Sequence, residues 1–135
     1  MSLFSCIGDP IFEAKINNRT NHDILIHVYF NKTIFEKDWN GPPFRRSFST
    51  FLKTVGIGQG VELLNYDSSE VTLFLKVVPN SSWVFASAFG WKPHYEVFQK
   101  LIIYSGDTIS LDKPELIENA MVKTRTRHWE MNIKK

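Results

Sequence analysis

The chain has 135 residues, the length of one ordinary domain, and its 11 Phe, 4 Trp and 4 Tyr favour a packed core over disorder. Its one cysteine, Cys6, excludes an internal disulfide, and no apolar run reaches the length of a membrane-spanning helix. The net charge of +2 is uneven, because residues 123–135 carry +4 and the rest of the chain carries −2. We therefore expect a single domain over 1–135 with a basic C-terminal strand or tail.

The first residues, MSLFSCIGDPIF, contain neither a basic stretch nor a long apolar one. They therefore do not have the pattern of a secretory signal. We expect residues 1–10 to be irregular, and the protein to be cytoplasmic or released without a classical signal peptide.

Most of the chain shows the apolar–polar alternation of half-buried strands. In IFEAKIN, Phe12, Ala14 and Ile16 share one face. In ILIHVYF (24–30) the even-numbered residues are apolar, and His27 lies on the other face among Leu25 and Tyr29. Further strands are predicted at 61–66, 71–78, 82–89, 96–104, 108–111 and around 129–133.

Two helices interrupt these strands. Residues 47–56 carry apolar side chains at helical spacing, with Ser47 as a candidate N-cap and Gly56 as a stop. A second, shorter helix is expected after Asp112, the candidate N-cap, with Pro114 in its first turn. Its apolar side would be Leu116, Ile117, Ala120 and Met121.

This pattern predicts an all-β fold. Short strands separated by turn residues are typical of a single-domain β-sandwich of about 7–8 mostly antiparallel strands, here with one or two short helices.

No constellation of catalytic or metal-binding residues is evident. The four histidines form no His-x-His or His-x-x-x-His pair, so no metal site is predicted. Cys6 has no histidine nearby in sequence, and Glu62 with Glu70 is not a specific carboxylate pair. We therefore predict a protein that is not an enzyme and needs no cofactor.

Aromatic residues gather in one window around the loop AFGWKPHY (88–95). The candidate ligand-binding residues are Trp83, Trp91, His94 and Tyr95. Trp and Tyr have polar tips that suit a membrane interface or stacking on a sugar or choline group. Core or loop packing is the alternative explanation for these rings.

The basic segment offers a second candidate surface. As one strand, 123–129 would place Lys123, Arg125, Arg127 and Trp129 on one face, as a contact for an anionic partner. The alternative is a charged edge strand that resists aggregation.

Three stretches resemble the actinoporin-like and fungal fruit-body lectin superfamily of β-sandwiches. They are Asn17-Asn18-Arg19-Thr20, the segment from Gly58 to Tyr66, and Leu73 to Asn80; the late helix followed by 129–133 also fits, so that the likeness spans 12–133. The loop after Val78-Pro79 lacks the tyrosines of that family, and a long N-terminal amphipathic helix is not evident. The resemblance implies a β-sandwich that binds a membrane or glycan; it does not imply a pore.

Three functions follow as hypotheses. The first is a non-enzymatic recognition module that binds lipid headgroups or glycans through the aromatic loops. The second is a self-assembling structural protein, such as a viral matrix or capsid-associated subunit, with an aromatic patch as its homo-oligomer interface. The third is nucleic-acid binding through the basic segment, with a steep dependence on salt.

Overall fold

The computed structural model describes residues 11–34, 58–89, 93 and 95–134, and these form an all-β fold, as the alternation predicts. Besides the helical residues 32–34, the described residues contain nine strands, a 3₁₀ turn at Tyr95–Val97 and a helix, α1, at Pro114–Ala120. The strands are β1 Ile11–Arg19, β2 Ile24–Phe30, β3 Val61–Asp67, β4 Thr72–Val77, β5 Ser82–Phe89, β6 Phe98–Ser105, β7 Asp107–Leu111, β8 Val122–Arg125 and β9 His128–Lys134.

The strands form two sheets. The four-stranded sheet has the order β5-β1-β9-β8, and the five-stranded sheet has the order β3-β4-β2-β6-β7. All pairs are antiparallel except β1 with β9, which run parallel and join the two ends of the chain. The strand count exceeds the prediction because the basic segment folds back on itself as the hairpin β8–β9.

The core forms from the apolar faces that the alternation predicts. Along β2, buried and half-buried residues alternate without interruption. Phe85 of β5 meets Phe98 of β6 edge-on, with ring centroids 5.4 Å apart, so aromatic packing connects the two sheets. Fully buried Leu or Ile side chains each contribute about 1.5–3 kcal/mol. One cluster includes Ala14, Ile16, Ile24, Ile26, Val28, Leu73, Leu75, Val77, Trp83, Leu101, Ile103, Met131 and Ile133. A face-to-face β-sandwich of these sheets stays a prediction.

Asn18 joins the two sheets through its buried side chain. Its Nδ2 donates to the carbonyls of His22 and of Val77, each at 2.8 Å, and Val77 belongs to the other sheet. Its Oδ1 accepts from the backbone N–H of Thr20 at 2.9 Å and from the Thr20 hydroxyl at 2.6 Å. Both amide hydrogens and the carbonyl oxygen are therefore paired, as a fully buried amide requires.

The backbone of Asn18 also holds the turn between β4 and β5. Its N–H donates to the Ser81 carbonyl, and its carbonyl accepts from the Asn80 N–H, both at 2.9 Å. Asn80 has a φ of +62°, a left-handed conformation that Asn tolerates better than most residues. Gly60 packs beside this turn at a φ of +83°, where a Cβ would overlap the Ser81 side chain. Glycine is thus required there by both conformation and space.

The predicted helix over 47–56 lies outside the described residues. The second helix is present as α1, but its predicted cap is wrong: Lys113 occupies the N-cap position, without a side-chain hydrogen bond. The Asp112 carboxylate accepts from the Ser110 hydroxyl at 2.6 Å instead. Of its apolar residues, Ile117 is fully buried and Leu116 is 38% exposed, because a helix of two turns presents only a narrow face to the core.

Replacement of Asn18 by Ala should strongly destabilise the fold. The variant leaves the Val77 carbonyl and the Thr20 N–H buried without a partner, and we expect a loss of about 2–4 kcal/mol in the free energy of unfolding. Urea unfolding measures this loss. Asn21→Ala is the matched control, because Asn21 lies exposed in the same turn. Equal stability of the two variants would contradict the role of Asn18.

Candidate functional site

The aromatic loop does not form the predicted contact surface as far as it is described. Trp83 is fully buried and Tyr95 is 4% exposed, so both rings belong to the core. Trp83 lies on the inward face of β5, and the 3₁₀ turn directs Tyr95 towards Phe85, 6.5 Å away between ring centroids. Trp91 and His94 lie outside the described residues. The prediction that Trp83 and Tyr95 meet a ligand at the surface is therefore corrected.

Tyr95 is a buried phenol with an unusual environment. Its Oη has no hydrogen-bond partner among the described residues. Burial, with a smaller contribution from the Glu118 carboxylate, raises the pKa of Tyr95 to about 12. The hydroxyl thus adds a polar atom to the core, and no group in the described ranges bonds it.

The basic segment does not form one row of cations. Lys123 and Arg125 lie on β8, Arg127 lies in the turn with a φ of +61°, and Trp129 lies on β9 opposite Lys123. The Lys123 ammonium lies over the Trp129 ring, 5.7 Å from its centroid. The single-strand arrangement predicted for 123–129 is therefore wrong. The exposed charges of β8 line the edge of the four-stranded sheet, which is the arrangement that opposes edge-to-edge pairing.

The outer face of the four-stranded sheet is polar along β1 and β9, with Val84 and Val122 on the flanking strands. The register pairs Lys15 with Glu130, whose charged atoms lie 3.9 Å apart. In the next pair, Asn17 Nδ2 donates to the side-chain oxygens of Glu130 and Asn132, each at 2.8 Å. Side chains of this face thus satisfy one another, as expected of a sheet face in water.

The outer face of the five-stranded sheet is instead aromatic. We call His27, Tyr29, Phe74 and Tyr104 the aromatic face. The register aligns Phe74 of β4, His27 of β2 and Ile102 of β6 in one row across three strands. Leu25 pairs with Tyr104 on one side of this row. The sheet therefore presents rings on the side that normally carries polar groups.

The rings of the aromatic face contact one another. The His27 ring lies 4.3 Å from the Tyr29 ring and meets Phe74 edge-on at 5.4 Å, centroid to centroid. Phe74 in turn lies edge-on to Tyr104 at 6.5 Å. The Tyr29 hydroxyl lies 3.2 Å from His27 Nδ1, and the Lys100 ammonium lies over the Tyr29 ring, 4.7 Å from its centroid. These contacts hold the rings of the aromatic face in one arrangement before a ligand binds.

An open cavity of about 470 Å³ lies over part of this face. This volume falls in the range of small-ligand sites. Its lining combines rings with amide, hydroxyl and carboxylate groups. The lining residues are His27, Asn65, Tyr66, Asp67, Thr72, Leu73, Phe74 and Tyr104.

Two titratable side chains of the cavity have shifted pKa values. Partial burial, followed by the positive charge of Lys100, lowers the pKa of His27, so its ring is neutral at pH 7. Hydrogen bonds from the Ser69 hydroxyl and from the backbone N–H groups of Glu70 and Ser69 lower the pKa of Asp67. Asp67 thus organises its own turn, with the Ser69 hydroxyl 2.7 Å from Oδ1.

Sequence reasoning identified the side chains of β2 but missed the site. The signal was present in ILIHVYF, where the face opposite the core carries Leu25, His27 and Tyr29 rather than charged residues. Their partners Phe74 and Tyr104 come from β4 and β6, and only the register shows that these residues are neighbours.

A comparison with models of protein families, with curated proteins and with solved structures finds no match to this chain. The resemblance to the actinoporin-like and lectin superfamily therefore stays a prediction.

Two further features bear on the site. Among the described residues, no helix is long and apolar enough to cross a membrane. In that same part of the chain, no three His, Cys, Asp or Glu side chains lie close enough to hold a metal ion.

Tyr95→Phe should leave the stability unchanged or raise it by about 1 kcal/mol, because it removes a buried hydroxyl that has no partner among the residues the structure describes. Above pH 10, the unfolded chain ionises Tyr95 and the folded chain does not, so the wild type loses stability as the pH rises towards 12. Tyr95→Phe has no phenol to ionise at this position and therefore lacks this loss of stability. Urea unfolding at neutral and alkaline pH tests both points, and a loss of more than about 1 kcal/mol at neutral pH would show that the hydroxyl is bonded.

His27→Gln should reduce the acid sensitivity of the fold. Because folding lowers the pKa of His27 below 6.5, the unfolded chain binds the proton more readily as the pH falls through 6.5. Preferential protonation of His27 in the unfolded chain therefore destabilises the wild type at lower pH. The effect is fully absent only well above pH 6.5. Urea unfolding at about pH 7.5 and about pH 5.5 should show a smaller decrease for the variant. Identical decreases in the free energy of unfolding for the two proteins would refute a lowered pKa of His27 in the folded state.

Proposed function

We propose that the protein is a non-enzymatic recognition module that binds a glycan on the aromatic face. The observation that carries the proposal is the contrast between the two outer sheet faces. Along β1 and β9, one face carries polar side chains that bond one another, whereas the other face presents packed rings beside an open cavity. Apolar surface left at such a position is typical of a binding surface.

Glycans suit this surface because a sugar ring has both apolar and polar sides. Its C–H groups stack on aromatic rings, and its hydroxyls need hydrogen-bond partners at the edge of the platform. Tyr104 is 38% exposed and offers both a ring and a hydroxyl. The Asn65 amide and the Thr72 hydroxyl supply further polar groups beside the cavity.

Two titratable groups beside the cavity are held by local hydrogen bonds. Asp67 Oδ1 caps its own turn, and His27 Nδ1 lies within hydrogen-bond distance of the Tyr29 hydroxyl. These contacts fix the positions of both side chains on the binding surface.

A glycan fits this surface better than a lipid bilayer does. The rings stand on strands within the sheet rather than on projecting loops. A flat membrane contacts protruding side chains, whereas a chain of sugars can lie along a sheet. Lipid headgroups are therefore the competing ligand, and the experiment must distinguish their binding from glycan binding.

Tyr104→Ala should weaken glycan binding about tenfold, because loss of one stacking ring costs about 1–3 kcal/mol. Binding is first located on a glycan array and then measured by calorimetric titration. Val122→Ala is the control, because Val122 is 63% exposed and lies on the other sheet. Binding to vesicles of phosphatidylcholine is measured in parallel, because lipid headgroups are the alternative ligand. No glycan bound, or equal binding by both variants, would overturn the proposal.

A further inference from the structure

The lysines of the outer sheet faces differ in their partners. Lys76 lies 3.2 Å from the Glu62 carboxylate, and Lys15 lies 3.9 Å from that of Glu130. Lys100 is half-buried, and its ammonium lies over the Tyr29 ring. Within the described ranges, no carboxylate lies within ion-pair distance of Lys100. As far as the structure describes the chain, the aromatic face therefore carries a cation, Lys100, that no acidic side chain neutralises.

The charged groups around this cation do not compensate it. On β3, Glu62 is paired with Lys76 of β4, and Asp67 accepts hydrogen bonds from its own turn. On β2, the neighbouring titratable side chains are His27 and Tyr29; partial burial and, secondly, the positive charge of Lys100 lower the pKa of His27. The same positive charge favours an anion close by.

The register sets the distance between Lys100 and the cavity. Thr72 of β4 pairs with Tyr29 of β2, and Tyr29 pairs with Lys100 of β6. Thr72 lines the cavity. The backbones of Lys100 and Thr72 therefore lie two strand spacings, or about 10 Å, apart. The Lys100 ammonium comes closer to the cavity than this, because it lies over Tyr29, whose ring is 4.3 Å from that of the cavity residue His27. One ligand can therefore contact both Lys100 and the cavity.

We infer that the ligand is an acidic oligosaccharide, with one ring stacked over the cavity and a carboxylate or sulfate bound by Lys100. This inference rests on the proposed glycan binding and names the class of glycan. The aromatic rings provide contact area for the sugar, and the charge of Lys100 selects acidic over neutral glycans. Because the ammonium is already held over Tyr29, little side-chain freedom is lost when the anion binds.

The test is an array on which each acidic glycan has a neutral counterpart that lacks only the carboxylate or sulfate, such as sialyllactose and lactose. The wild type should bind the acidic member about tenfold more tightly, as expected for a charge-assisted contact. Lys100→Gln should abolish this preference, and Lys100→Arg should retain it. Lys134→Gln removes the same charge from an exposed position on the other sheet and should leave the preference unchanged.

The salt dependence of the preference and binding to lipid vesicles distinguish the remaining outcomes. The preference should decrease as sodium chloride is raised, because a half-exposed ion pair is screened. Glycan binding that is lost in Tyr104→Ala but shows no preference for acidic members would overturn this inference and leave the proposed function standing. No glycan bound at all would overturn both. Binding to vesicles of phosphatidylserine without any glycan binding would assign the cation to a lipid surface and overturn the glycan ligand.

Discussion

Asn18 joins the two sheets at the point where β1 turns towards β2, and much of the described architecture depends on it. Its buried amide bonds to Val77 in one direction and to Thr20 and His22 in the other, while its backbone holds the β4–β5 turn. A buried amide is stabilising only when every polar atom is paired. The network therefore specifies one relative placement of the two strand systems and disfavours slipped alternatives, since any slip would leave these groups unpaired.

With the strands fixed in this way, the two outer faces acquire different properties. The parallel pairing of β1 with β9 aligns polar side chains such as Lys15 and Glu130, which neutralise each other. The pairing of β2 with β4 and β6 aligns aromatic side chains such as His27 and Phe74 beside Lys100, whose charge has no acidic partner in the described part of the chain. The polar side chains in the middle of the first face are paired with one another. The second combines rings, a cavity and a cation, which is the basis of the proposed acidic glycan binding.

Sequence reasoning located the strands well and the site poorly. The alternation in β1, β2 and β4 predicted which residues face the core, because a strand with one buried face must repeat every two residues. The turn-forming composition around Asn18 concealed a buried network, since the same side chains form turns and satisfy buried backbone. Trp83 and Tyr95 were assigned to a contact surface from loop composition, but burial of a large ring depends on the neighbouring strands, which composition does not describe. The basic residues of 123–129 were placed on one strand because alternation does not reveal a tight hairpin.

Residue types and their spacing are enough to predict the all-β class, the position of most strands, the face that each strand buries and the uneven distribution of charge. These properties are local, because each follows from residue type and a spacing of a few residues. Pairing between distant strands is needed to show that β1 lies beside β9, that Phe74, His27 and Tyr104 share a surface, and that Lys100 lacks a carboxylate partner among the described residues. Alternation fixes the side of the sheet on which a residue lies, whereas the register of hydrogen bonds between distant strands fixes its neighbours.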